Sequence, residues 1–264
     1  MNPSPESASG PARNIDWDQA AAYYDAYVRA DFDQGFFLRA ARAAGTPVLE
    51  LMCGTGRITL PLAEAGIPIT GLDSSPGLLG RFREKLLGRD LPVRLVEADA
   101  RDFDLGERFP LVYIGFHALA EVLGAADRRR VFERVRAHLA PGGSFLLTLH
   151  NPPVRIAAAH RDWRPMGSAL LGPGRSLEVY SRWEVAPSRG RIQGFQRYRE
   201  LDASGACRQE LKLPIVFDLI ARDEVEEQAR ATGLEILRVD GDYEGSAFDP
   251  ETSPFMIFNM TPKA

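Results

Sequence analysis

The chain has 264 residues, 45% of them hydrophobic and 26% charged, with a net charge of −4. These values suit one large soluble domain, or a domain with an insertion, and exclude whole-molecule attraction to nucleic acid or to an anionic membrane. No apolar run approaches the ~18 residues of a membrane span, and Cys53 and Cys207 are too far apart for metal-ligand spacing.

The first residues, MNPSPESASGPARN, lack the basic-then-apolar layout of a signal peptide and read as a disordered tail, 1–14. With the sparse cysteines, this points to a reducing, cytoplasmic location. From Trp17 to Ala44 the pattern is helical and crowded with aromatic residues. Short apolar runs then alternate with amphipathic segments. Strands are expected at Val48–Leu51, Ile69–Leu72, Val93–Glu97, Leu111–Phe116 and Ser144–Leu149, the last introduced by the turn Pro141-Gly142-Gly143. Helices are expected at Ile58–Ala65, Pro76–Leu87 and Asp127–Leu139. Such alternation predicts an α/β fold, a mostly parallel sheet with helices on both faces.

After Asn151 the rhythm changes. Leu177–Val185, Arg191–Leu201 and Ala206–Ile215 have strand-like composition and are joined by the turn-like PSRG and DASG. They read as a small antiparallel insertion, residues 152–213, between the two parts of the α/β domain, 15–151 and 214–264. A helix at Asp223–Ala231 stops at Gly233, and Leu234–Val239 and Phe255–Met260 close the chain as strands able to pair antiparallel.

The stretch LELMCGTGR, Leu49–Arg57, has the strand–glycine loop–helix layout in which backbone N–H groups face a ligand. Gly54 and Gly56 suit a close approach of ligand to backbone. Thr59 occupies the place of the third glycine of a dinucleotide fingerprint, and no GK[ST] ending follows. Asp73 ends the second strand, where a carboxylate can accept the two hydroxyls of a ribose or cap the next helix. Asp99 ends the third strand, within reach of an adenine amino group. Three polar strand ends in succession define a crevice at the carboxyl edge of the sheet.

These features resemble the class I S-adenosylmethionine-dependent methyltransferases. The matching text is VLELMCGTGRITLPLAEAG, ITGLDSSPGLL, VEADARDF, LVYIGFHALAEV and LAPGGSFLLTLHNP, and the ending GDYEGSAFDPETSPFMIF is similar to a bacterial small-molecule subgroup. The resemblance implies a Rossmann-like seven-stranded sheet with the last strand antiparallel. It implies S-adenosylmethionine as cofactor, S-adenosylhomocysteine as product, and in-line transfer of the methyl group to a nitrogen or oxygen of a small metabolite. By position, Glu50, Gly54 and Gly56 would line the methionine side, Asp73 with Ser74 the ribose, and Asp99 with Ala100 the adenine. Phe116 would sit beside the sulfonium, and Tyr24 on the leading helix would cover the cofactor. The family usually has glycine where Met52 stands, so this larger side chain must point away or narrow the pocket.

Because the donor is already activated, no invariant triad and no metal are expected. His117, directly after Phe116, is the candidate general base; a role in orienting substrate stands beside it. His150, Asn151, Trp163 and Tyr198 are the candidate acceptor contacts. The aromatic residues of the insertion would line the acceptor pocket or form a homodimer contact, alternatives the sequence leaves open. Asn151-Pro152-Pro153-Val154 is similar to the Asn-Pro-Pro-aromatic motif of enzymes that methylate nucleic-acid bases. There it follows the fourth strand and ends in an aromatic ring that stacks on a flipped base, so no nucleic-acid or membrane partner is expected here. Two rival readings keep the cofactor: a regulatory protein without transfer, and an enzyme using it for another reaction.

Overall fold

The computed structural model describes residues 14–186 and 190–263. The expected tail up to residue 13 and the first three residues of the PSRG turn lie outside this range. The elements run α1 Trp17–Tyr27, α2 Gln34–Ala44, β1 Val48–Leu51, α3 Thr59–Glu64, β2 Ile69–Asp73, α4 Pro76–Leu86, β3 Val93–Glu97 and β4 Phe109–Ile114. A 3-10 turn, Ala118–Glu121, precedes α5 Ala125–His138, β5 Leu139–His150 and α6 Pro152–Ala157. Then come β6 Arg164–Gly172, β7 Arg175–Ala186, β8 Arg191–Asp202, β9 Cys207–Asp218, α7 Arg222–Ala231, β10 Leu234–Asp240 and β11 Phe255–Pro262.

The main sheet has seven strands in the order β10-β11-β5-β4-β1-β2-β3. Strands β1 to β5 pair parallel, and β11 runs antiparallel against both β5 and β10. Every residue of β1 and β2 is buried, as expected of central parallel strands covered on both faces. Successive side chains leave to opposite faces: Leu49 and Leu147 pack with α5 and α7, whereas Val48 and Leu146 pack with α2 and α3. The carboxyl ends of β1, β2 and β4 therefore open on one edge, which holds the site described below.

Three details differ from the sequence expectation. The leading helix is two helices, because Asp33, at the entrance to α2, turns inward and is paired with Arg57. The Pro141-Gly142-Gly143 turn is instead an irregularity inside β5, where the register jumps from Phe109↔Leu139 to Leu111↔Ser144. The short helix α6 and the strand β6 were not anticipated. Strand β6 carries Pro165 and Gly167, which depress strand composition, yet it lies at the edge of its sheet, where proline is tolerated.

The second sheet is antiparallel, four-stranded, and ordered β6-β7-β8-β9. Its inner face packs Leu177, Val179, Ile192, Tyr198 and Ile215 against Ala20 and Tyr23 of α1. Asp218 at the end of β9 fastens this sheet to the main domain. Its carboxylate accepts from Arg128 of α5, Arg191 and the Gly124 N–H, while Arg128 also reaches Glu224 of α7. Burial pushes the Asp218 carboxyl up, but these donors outweigh it and hold it below its ordinary value.

Candidate active site

The loop after β1 is shaped by the acid after β2. Asp73 accepts the Gly54 N–H on one carboxylate oxygen at 2.7 Å and the Ser75 N–H on the other at 2.8 Å. Ser75 in turn caps α4 by accepting the Leu78 N–H. One side chain thus joins the glycine loop to the start of the next helix. Burial raises its pKa, and the backbone donors limit the rise. Met52 stands at φ 59, in the left-handed region that favours glycine, with its side chain half-buried on the main core.

A cavity of about 430 Å³ opens over this loop. Tyr24, Glu50, Gly54, Asp73, Ser74, Asp99, Ala100 and Phe116 all line it, so the expected cofactor residues come together apart from Gly56. Gly56 serves packing: a Cβ there would stand 2.3 Å from the Phe82 ring. Glu50 is buried, accepts from the hydroxyls of Thr59 and Tyr113, and is pushed by burial up to about 7. Asp99 is held below its ordinary value by Arg101, which donates to both its oxygens and also reaches Asp127.

Three lining residues escaped the sequence reading. Trp17 donates its indole N–H to Glu121 at 2.6 Å, and burial pushes Glu121 up to about 7. Arg57 forks onto both oxygens of fully buried Asp33 at 2.6 Å and lies 4.0 Å over the Phe116 ring. That fork fixes the wall on which Phe116 rests. The signal for Arg57 was its place directly after GTG; nothing local marks Trp17 or Glu121.

A second cavity, of about 530 Å³, lies between the main sheet's edge and the antiparallel sheet. It shares Trp17, Tyr24, Phe116 and Glu121 with the first. His117, His150 and Phe255 line it on one side, and Trp183, Gln196 and Phe217 on the other. Phe116 and His117 are consecutive residues at φ 49 and 62, a strained pair of the kind found at functional sites. The His117 ring stacks 3.6 Å from that of His150, and its Nδ1 is buried with no hydrogen-bond partner. Burial first, then the neighbouring His150, Arg155 and Arg57, hold His117 well below its ordinary value. His150 opens on the cavity but is surrounded by protein, and burial pulls it down to about 3. Both imidazoles are therefore neutral, and His117 is a poor resting place for a proton.

Three expected acceptor contacts lie elsewhere. Asn151 gives its amide N–H groups to the carbonyls of Pro250 and Ser253, which anchors the loop before β11. Trp163 stands outside the cavity lining, 4.4 Å from the Arg197 guanidinium. Tyr198 is buried one step behind and donates to Gln196, which does face the cavity.

Comparison with known proteins agrees with this geometry. Residues 48–143 match the family model described as a methyltransferase domain. A cypemycin N-terminal methyltransferase from Streptomyces sp is 27% identical over 81% of this chain and 82% of its own length. The solved CcbJ methyltransferase of Streptomyces caelestis is 27% identical with a TM-score of 0.75, covering 94% of this chain and 97% of that one. The chain carries a methyltransferase domain of the S-adenosylmethionine-dependent type. CalS10, an amino pentose methyltransferase of Micromonospora echinaspora solved with S-adenosylmethionine bound, is 26% identical with a TM-score of 0.69 over 93% of this chain and 96% of that one. Several other curated relatives are matched over only about half of their length or less.

The first cavity of this methyltransferase fits its cofactor by the chemistry of its donors. Glu50, Asp73, Asp99 and Glu121 give it an acidic lining suited to a cationic ligand bearing an ammonium group and ribose hydroxyls. Its two arginines, Arg57 and Arg101, are already paired with Asp33, Asp99 and Asp127. Asp73 spends one lone pair of each oxygen on the backbone and keeps the others for a ligand.

Proposed function

We propose that this methyltransferase methylates a nitrogen of a small metabolite held in the second cavity, with the antiparallel sheet as the cover of that cavity. The observation that carries the reading is the shared wall. An acid-lined cavity and an aromatic one meet at Phe116, Tyr24 and Glu121, so donor and acceptor are held on either side of one boundary. The relatives named as acting on an N-terminus and on an amino pentose support nitrogen as the acceptor atom.

S-adenosylmethionine supplies a methyl group already activated on a positively charged sulfonium. The protein's task is to orient the acceptor, keep its amine neutral and exclude water. Asp73 holds the ribose hydroxyls, and Glu50 and Glu121 provide negative charge. Phe116, braced by Arg57, forms the boundary. An ammonium ion has no lone pair to offer, and removal from water beside Arg155 disfavours that ion. His117, neutral and lining this cavity beside Phe116, packs against the amine and sets its approach, a positioning role in place of resident general base. His150, open to the cavity, stacks behind it.

The test is incubation with methyl-labelled cofactor and matched series of small amines and alcohols. Label in amine products is expected. Label in alcohol products alone would replace nitrogen by oxygen. Cofactor binding with no labelled product in either series would favour a reaction other than methyl transfer to a small molecule.

A further inference from the structure

The second cavity contains a cation without an acid. Arg155, on α6, lines it and lays its guanidinium 4.6 Å over the Trp183 ring. Arg29, which also lines the cavity, is exposed and donates to the Ala26 carbonyl. The arginines fastened around the two cavities have carboxylates, Arg57 with Asp33, Arg101 with Asp99, and Arg128 and Arg191 with Asp218. Among the described residues Arg155 forms no ion pair, and burial is the only influence acting on its charge. The two acids that line the same cavity are engaged elsewhere, Glu121 by the Trp17 indole and Asp218 by its arginines. A partly buried guanidinium left in this way is costly unless a ligand completes it. Its planar fork matches a carboxylate in geometry and in single charge.

We propose that the acceptor carries a carboxylate, which Arg155 binds, on an aromatic or apolar body packed among Phe116, Trp183, Phe217 and Phe255. This rests on the reading of the second cavity as the acceptor site and names the acceptor's class, an amine bearing a carboxylate. Arg155, His117 and His150 line the same cavity of about 530 Å³, which places the carboxylate within one small molecule's length of the reacting amine.

The test separates binding from turnover. Phenylacetate and its neutral isostere phenylacetamide are titrated into the full-length protein saturated with S-adenosylhomocysteine. Binding of phenylacetate at least tenfold tighter is expected, with the difference lost in Arg155→Gln and partly kept in Arg155→Lys. Unchanged binding of S-adenosylhomocysteine by Arg155→Gln shows that the variant is folded. Equal binding of the two probes, binding of neither, or an undiminished preference in Arg155→Gln overturns the proposal. Because no methyl group moves in this assay, its outcome is independent of the labelling experiment. Carboxylate binding without methyl transfer would leave the anion site standing and remove the proposed reaction.

Discussion

Met52 shows how a single residue departs from its family's text while keeping the fold. Its φ of 59 explains the usual glycine, since a left-handed conformation costs an ordinary residue about 1–2 kcal/mol. The side chain offsets part of that cost by packing on the main core. Met52→Gly relieves the backbone but loses this contact and gains unfolded-state freedom, so stability should change by no more than about 1 kcal/mol. Cofactor affinity, measured by calorimetry, should stay within a few-fold. Asp73→Ala is a different case. It removes the acceptor of two backbone N–H groups as well as the proposed ribose contact, and cofactor binding should be lost; unchanged affinity would take Asp73 out of the site. Glu50 and Glu121 supply a pH signature. Both titrate near 7 instead of at the ordinary 4.5, so between these values the folded protein keeps protons that the unfolded chain has lost. Without cofactor, stability therefore falls as pH rises through this window and levels off above about 7. A cationic ligand favours the ionised carboxylates, so binding near pH 6 should release protons. Calorimetry in buffers of different ionisation enthalpy measures this release, which should shrink in Glu50→Gln.

At the scale of elements, the parts legible in the sequence are those whose local chemistry and tertiary fate agree. Strands β1 and β2 are largely apolar because they are buried on both faces, and each carries an acid at or next to its end, Glu50 and Asp73, on the ligand edge. The break between α1 and α2 was not legible, because aromatic residues continue across it and its cause is distant in sequence. That cause is the pair Arg57–Asp33, with Asp33 fully buried. Arg57→Ala leaves a buried carboxylate unpaired and should cost about 3–5 kcal/mol, read by urea denaturation. Arg57→Lys should recover part of the loss, since it restores charge without the fork. The same logic separates the residues expected to contact the acceptor. His150 was legible because it ends a strand at the correct edge. Asn151 is the very next residue, but its side chain turns to the carbonyls of Pro250 and Ser253, partners about a hundred positions away. Arg155 sits on a six-residue helix with no periodicity to announce it.

At the scale of the whole molecule, α1 joins the two sheets. Towards the main domain, Asp18 accepts from Ser75 and Gly77, and Asp25 pairs with Thr55 and Lys85. Towards the second sheet, Tyr23 donates to Glu200 and Tyr27 meets Gln196 and Tyr198. Trp17 and Tyr24 of this helix line both cavities. A roof held in common ties the traffic of the two ligands together. Disturbing α1 should therefore disturb both compartments, and we expect the spent donor and methylated product to depart in a set sequence. In steady-state kinetics, S-adenosylhomocysteine should compete with S-adenosylmethionine but not with the acceptor. Cutting the helix loose, by Asp18→Ala with Asp25→Ala, should speed product escape while letting water into the reaction chamber. One helix would then act as the enzyme's clock.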